Sequence, residues 1–540
     1  MSRFIYPVDT DQFQKIREQG KVYVDKTGYI HDLVNVRKYE YVFLARPRRF
    51  GKSLLCNTFK AYFQGQKELF EGLEIMNHEK EWNVYPVLHF DMSEMRNCSN
   101  IKDMQDVLSA MLEKYESAYN TYKKIDEPGT RFSQLIRHVN SVTGKNVVVL
   151  IDEYDTPLMR NLYNEDMLDG IRRLLRGFYQ TVKMDGAYLR FVFITGVTKF
   201  SQLSIFSELN NLNQISMVDD YSGICGITQK ELDTVLRPCI EEYAQNLDIT
   251  TEEAYALLKK NYDGYHFSKN SEDVYAPFSL FRALNFNSTD HYWFESSTMT
   301  SLIDHLKHYP IKSAMEYDGI EVGLNEFNVP CEKAETPMPL LYQSGYLTID
   351  KYDALLHTYT LHFPNLEVRE GMISGLMPLV LKRSTADGNN LVRKMAASVF
   401  EGNLSDALVA LRSYIAKIPY DIITKEEWED KESRENFYKL LLYMAFSMLN
   451  ATVDTEVKSI LGRADVVIKT KADIFVLELK VDDSVDNALS QIDSKGYAIP
   501  YEADGRKVTK CGVTISSEAR NIVHWRIVDS EGTIIDEQNF

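Results

Sequence analysis

Four short apolar runs, Tyr41–Ala45, Val87–Phe90, Val147–Ile151 and Phe191–Thr195, punctuate the first two hundred residues. Longer amphipathic segments such as Ile101–Lys124 and Asp166–Lys183 separate them. Runs this short and this dense in β-branched and aromatic residues predict strands buried on both faces, the situation of a parallel sheet. Strand-helix alternation then dictates an α/β sheet covered on both sides by helices. At 540 residues the chain has room for three or four such units.

The pattern changes downstream. Thr228–Tyr262 reads as helical, and TQKEL offers a Thr cap with a Glu three residues on. A mixed region runs to about Lys417, in which LYQSGYLTI and Tyr359–Phe363 look like a strand pair closed by FPN. From Glu432 the predicted order is helix (Glu432–Asn450), three strands (Thr452–Ser459, Ala464–Lys469, Asp473–Lys480), helix (Ser484–Ala498) and two strands (Val508–Ile515, Ile522–Val528).

Charge and cysteine usage exclude several classes. With 61 basic and 78 acidic residues the net charge is −17, so a polyanion must meet a local basic site or a bound metal ion. Six scattered cysteines, with no CxxC pair, argue against a disulfide framework or a zinc knuckle and fit a reducing cytoplasm. The N-terminus lacks the apolar core of a signal peptide. The most apolar stretch, Leu440–Leu449, is far shorter than the ~20 residues of a membrane helix. The expectation is a cytoplasmic protein with no membrane partner, for which an oligomer remains possible.

After the strand Tyr41–Ala45 the chain reads RPRRFGKSLL and enters a helix. Strand, loop, GKS and helix form the context of a phosphate-binding loop, because unpaired N–H groups at a helix N-terminus attract phosphate oxygens. Arg46, Arg49, Gly51, Lys52 and Ser53 are the candidate nucleotide-binding residues. Lys52 would reach the terminal phosphates and Ser53 would ligate magnesium. Between Tyr41 and Lys60 stand five basic residues and no acidic one. Arg46 occupies the place where the usual motif opens with Gly. Downstream, NVVVLIDEYD drives a strand into Asp152 and Glu153, at the edge where α/β sheets bind ligands. Asp152 can hold magnesium through water and Glu153 can orient or deprotonate the attacking water. Thr195 ends the fourth strand, placed to feel a terminal phosphate. Together these residues point to ATP or GTP with Mg2+.

A second constellation lies near the other end. Asp465 begins one predicted strand and Glu478 ends the next, so a hairpin would bring two carboxylates together. An oxygen-rich pair suits magnesium, which lowers the pKa of bound water for attack on a phosphodiester. Lys480 shares the strand face of Glu478 and can steady developing charge. Glu435 can supplement the metal ligands and Gln491 can orient the metal water, with Glu456 a weaker candidate. Residues 451–540 carry 11 basic and 16 acidic groups, a poor balance for gripping a phosphate backbone.

Taken together, YVDKT, RPRRFGKS, LIDEYDTPL, FITGVTKFSQLSIFSELNNL, YDGYHF, FPNLEV and the GRAD…ELK block resemble one bacterial family. Its members join an N-terminal AAA-ATPase-like domain to a C-terminal PD-(D/E)XK nuclease-superfamily domain. The resemblance covers nearly the whole chain, and that family itself carries Arg at the first loop position. It implies an α/β multidomain protein with a P-loop NTPase-like α/β domain over residues 1–225, a helical lid-like region over 226–300, a mixed, mostly helical connector over 301–420 and a PD-(D/E)XK-like α/β domain over 421–540. By the same resemblance Lys52, Ser53, Asp152 and Glu153 take the Walker A and B roles and Thr195 a sensor-like one. Asp465, Glu478 and Lys480 take the nuclease triad positions, with Glu435 and Gln491 as accessories. Ala464 stands where a full PD motif has Pro.

The function expected is nucleotide-regulated, magnesium-dependent cleavage of nucleic acid, DNA first. A different class, a nucleotide-dependent switch whose nuclease-like domain binds a partner or nucleic acid without cutting, also fits the acidic balance. An ATPase motor on nucleic acid is a third reading.

Overall fold

The computed structural model describes the chain apart from residues 1–3, 122–125, 199–210, 296–297, 310–316, 332–333, 382–390, 392–393, 396, 400, 418–437, 439–451, 460–461, 471 and 503. The chain divides into two compact units, residues 1–296 with 315–369, and residues 297–314 with 370–540. The predicted helix Glu432–Asn450, with Glu435, and the segment 199–210 lie outside the described residues, save Tyr438.

In the first unit, strands β1 (Tyr41–Ala45), β2 (Val87–Asp91), β3 (Val147–Asp152), β4 (Leu189–Gly196) and β5 (Asn213–Gln214) form one parallel sheet in the order β2-β3-β4-β1-β5. All six residues of β3 are buried, as its unbroken apolar run requires. Around the sheet pack α1 (Lys52–Phe63), α2 (Ile101–Ala118), α3 (Pro128–Thr143) and α4 (Glu165–Met184). Their starts are chemically marked: Asn100, Glu127 and Asn164 accept bonds from first-turn N–H groups, and Pro128 opens α3. Phe90, Phe132 and Phe178 fill the space beneath, the last two stacked at 4.5 Å. The two-residue β5 was not legible as a strand; it is held by its pairing to β1 and by Asn213 Nδ2 donating to the Tyr41 carbonyl at 2.9 Å.

A helical layer follows, α5 (Arg237–Leu247), α6 (Thr251–Tyr262) and α7 (Pro277–Phe286), around Tyr243, Leu258 and Leu280. The predicted capping box at Thr228 and Glu231 is present, and Thr250 with Glu253 makes another. Two short strands, β6 (Ile227–Thr228) and β7 (Val274–Tyr275), pair across this layer. Of the expected strand pair, Tyr359–Phe363 is largely β10 (Thr358–His362), but LYQSGYLTI ends the helix Met338–Gln343 and turns, giving only the first two residues of β9 (Thr348–Asp353); an unforeseen β8 (Ile320–Gly323) completes the antiparallel sheet.

The second unit carries a six-stranded sheet in sequential order: β11 (Thr452–Ser459), β12 (Gly462–Lys469), β13 (Asp473–Val481), β14 (Lys507–Ser516), β15 (Asn521–Asp529) and β16 (Ile534–Asn539). Helix α8 (Leu404–Ile415) and helix α9 (Val485–Ser494) cover its opposite faces. Every neighbouring pair is antiparallel except β13 and β14, and α9 is the crossover that parallel pairing demands. The sequence order of helix, three strands, helix and two strands omits β16. That edge strand is largely solvent-exposed and polar, so it lacks the apolar alternation that marks a strand.

Candidate functional site

At the C-terminal end of β1 the chain turns through Arg49 at φ +64° and Gly51 at φ +90° before α1 begins at Lys52. Left-handed residues in such a turn help backbone N–H groups converge on an anion, and the helix dipole adds to the attraction. Lys52 is buried and its Nζ donates to the Pro47 carbonyl at 2.9 Å. Ser53 donates its hydroxyl to Asp152, which ends β3. Burial raises the Asp152 carboxyl to about 6, while the Ser53 bond and the Lys52 charge pull it back. A hydroxyl and a carboxylate in this pairing form a hard oxygen donor set that fits magnesium. Glu153 adopts φ +47°, unusual for a non-glycine residue, and its carboxylate accepts from Thr156 at 2.9 Å and Arg96 at 3.3 Å. Thr195 is fully buried, its hydroxyl donating to the Leu44 carbonyl at 2.8 Å.

The two candidate arginines brace the loop. Arg46 is buried, donating to the carbonyls of Ala45, Ser216 and Tyr221 at 2.8–3.0 Å and lying 4.1 Å over the Phe267 ring. Burial lowers its pKa to about 10. Arg49 lies 3.8 Å over the ring of Phe278. Phe50, between them and Gly51, packs edge-on against Tyr265 at 4.7 Å and Phe267 at 5.5 Å. The YDGYHF motif is therefore a wall of the phosphate loop, a role that sequence reasoning missed. Motif spacing says nothing about which distant segment will touch a loop. Tyr23, Val24, Phe50, Leu54, Ile224 and Ile227 line an apolar hollow beside Gly51. Within the YVDKT segment, Asp25 accepts from the backbone N–H groups of Thr27 and Glu74, and Lys26 pairs with Glu231.

The second site forms where β12 and β13 part. Their pairing runs from Lys469↔Ile474 to Val466↔Leu477. One residue further, Asp465 replaces a backbone partner, its Oδ2 accepting from the Leu479 N–H at 2.8 Å. Strand alternation puts Asp465, Glu478 and Lys480 on the face of Val467 and Val476, which Ile492 of α9 covers. Asp465 is 9% exposed and Glu478 1%. Lys480 Nζ bridges Glu478 Oε1 at 3.2 Å and Gln491 Oε1 at 2.6 Å, and Gln491 Nε2 donates to the Tyr497 hydroxyl at 3.3 Å. Gly512 lies opposite Glu478 on β14. A Cβ there would meet the Val485 carbonyl at 2.8 Å, so glycine lets α9 approach closely enough for Gln491 to reach Lys480. Lys480, Asn487, Ser490, Gln491 and Lys495 line an open cleft beside the carboxylates. Two buried carboxylates with a lysine at their side fit a hard divalent cation.

The structure brings together Gly51, Lys52, Ser53 and Asp152, and separately Asp465, Glu478, Lys480 and Gln491; of the other predicted residues, Arg46, Arg49 and Thr195 engage backbone carbonyls and rings, and Glu153 engages Arg96 and Thr156. Glu435 lies outside the described residues, as does the side chain of Glu456. What fold and site define is a two-part protein, a phosphate-loop α/β domain with a carboxylate-centred sheet domain after it.

Comparison with known proteins agrees. Residues 7–206 match the family described as "Predicted AAA-ATPase", and residues 433–525 match the PD-(D/E)XK nuclease superfamily. A protein of Azotobacter chroococcum mcd 1, "Uncharacterized protein in vnfD 5'region", is 32% identical over 554 positions, covering 98% of this chain and all of its own length. The chain belongs to the family of that protein, and in this chain an AAA-ATPase-like domain precedes a PD-(D/E)XK nuclease-superfamily domain.

Proposed function

We propose that this chain is an ATP-binding, magnesium-dependent nuclease of nucleic-acid phosphodiesters, DNA first, whose cutting is governed by the nucleotide and which works in the cytoplasm. The observation that supports it best is the chain Glu478–Lys480–Gln491 set beside Asp465 on a buried sheet face. Structural ion pairs gain little from such burial, because desolvation offsets the attraction. Asp465 and Glu478 would hold the magnesium ion, with Glu435 as an accessory ligand. A cation bound there supplies a water of lowered pKa and offsets charge on the phosphate. Lys480 donates toward the oxygen on which charge develops, and Gln491 holds Lys480 in place. At the other site, the loop N–H groups and Lys52 take the phosphates, and Ser53 and Asp152 take the nucleotide's magnesium. Glu153 polarises water and Thr195 reports the terminal phosphate through its strand. The four-part division at residues 225, 300 and 420 is part of the same proposal.

Incubating the purified full chain with plasmid DNA and magnesium tests the reading. Lys480→Ala and Asp465→Asn are each expected to slow cleavage by about a hundredfold or more. Cleavage that persists unchanged in either variant removes the assignment. The excess of acidic groups over residues 451–540 favours one alternative, a nucleotide-dependent switch that binds without cutting. Calorimetry with magnesium separates the two, because a domain that does not cut need not take up the ion at Asp465 and Glu478.

A further inference from the structure

Beneath the phosphate loop, three side chains from three elements meet in a way that nucleotide binding does not require. Cys56 on α1, His89 on β2 and Asp152 on β3 bring a sulfur, an imidazole nitrogen and a carboxylate oxygen within 4.8 Å of one another. Among the described residues this is the one such grouping of three His, Cys, Asp or Glu ligand atoms. Topology explains the meeting. In the parallel register Asp91 pairs with Asp152 and His89 with Leu150, so His89 and Asp152 share one face of the sheet. Helix α1 packs on β2 and β3 and carries Cys56 about one turn after Ser53.

The chemistry of the three groups differs from that of a packed core. Cys56 is fully buried. Nε2 of His89 is closed to solvent and has no hydrogen-bond partner, an arrangement that an ordinary interior disfavours. Donors around a tetrahedral ion with bonds of about 2.0–2.3 Å stand roughly 3.5 Å apart. The observed spread is therefore close to a ligating arrangement. A sulfur, nitrogen and oxygen set is borderline-soft and mismatched to magnesium, which takes oxygen alone.

We propose that Cys56, His89 and Asp152 form a binding site for one zinc-class divalent ion, with a fourth position left to water. On binding, the Cys56 S–H bond breaks, its proton leaves to solvent and a sulfur–metal bond forms; no electron is transferred. Asp152 also accepts the Ser53 hydroxyl, so this ion and the magnesium of a bound nucleotide draw on one carboxylate and each weakens the other by the same factor. That consequence rests on the nucleotide reading; the site itself does not.

Cobalt titration of the full chain, stripped with EDTA and free of nucleotide, reads the site alone. The expected result is one equivalent of cobalt with a thiolate-to-cobalt charge-transfer band, bleached when zinc is added. Cys56→Ser removes the band, and His89→Gln weakens cobalt binding by at least about tenfold. Absence of the band in the wild-type chain overturns the site. A band that survives Cys56→Ser also overturns it, because it then belongs to one of the other cysteines. Should Cys56→Ser fail to fold, His89→Gln decides: unchanged cobalt affinity there overturns the proposal.

Discussion

Glu367, in the FPNLEV motif, shows how a residue can mark a family without standing in either site. It is 1% exposed, and its carboxylate accepts from the Trp293 N–H at 2.8 Å and the Ser279 hydroxyl at 3.1 Å. Burial raises its pKa from 4.5 to about 7. A carboxyl raised in the fold binds its proton more tightly there than in the unfolded chain, so stability is lost as pH climbs from 4.5 through 7. The loss is on the order of 3 kcal/mol. Glu367→Gln, which mimics the protonated form, is expected to raise the melting temperature at pH 8 and leave it unchanged at pH 4.5. Thermal melts across that window check this, and equal shifts at both ends would contradict it. Lys52, Ser53, Asp152 and the C-terminal triad were legible because their chemistry is local: a tripeptide at a helix start, carboxylates at strand ends. The engagement of Arg46 was not legible. Its partners Ser216, Tyr221 and Phe267 lie 170 or more positions away, and sequence alone carries no signal for such a meeting.

Between elements, close approach at a single residue decides the geometry of the second site. Gly512 on β14 gives α9 its seat: an added Cβ meets the Val485 carbonyl at 2.8 Å and Ala488 Cβ at 3.1 Å. Gly512→Ala is expected to lower stability by about 1–3 kcal/mol through overpacking. Lifting α9 also moves Gln491 away from Lys480, so DNA cleavage should fall with it. Denaturant melts and cleavage rates on one preparation test both, and an unchanged midpoint with an unchanged rate would contradict the account. A similar close fit joins two motifs of the first unit. Gly264 of YDGYHF stands at φ +93° with a would-be Cβ 2.0 Å from the Pro364 carbonyl, and Asn365 of FPNLEV donates to the Asp263 carbonyl at 2.9 Å. Strand and helix identities were largely readable from period and capping, since burial on two faces leaves continuous apolar runs. The strands that escaped, β5, β6, β7, β8 and β16, are short or polar and are defined by their pairing.

For the whole molecule, the balance of −17 means that any polyanion must be met by local positive charge or by bound metal. The first cluster offers such charge at a helix start with Lys52, whereas Asp465, Glu478 and Lys480 would do so only with the proposed metal ion between them. Among the described residues no helix is long and apolar enough to cross a membrane. The overall plan was legible because its motifs fall in a family's order along nearly the entire chain. The Cys56, His89 and Asp152 cluster was not, since its members are isolated in sequence and meet only through strand register. The central claim is that a nucleotide-binding domain governs a metal-dependent cutting site. It is tested most directly by DNA cleavage rates of the full chain in magnesium, with and without ATP, for the wild type, Lys52→Ala and Glu478→Gln. The account predicts that ATP changes the wild-type rate by about fivefold or more, that Lys52→Ala loses this response, and that Glu478→Gln does not cut. DNA left intact by the wild type under every condition, or cut equally well by Glu478→Gln, would contradict it.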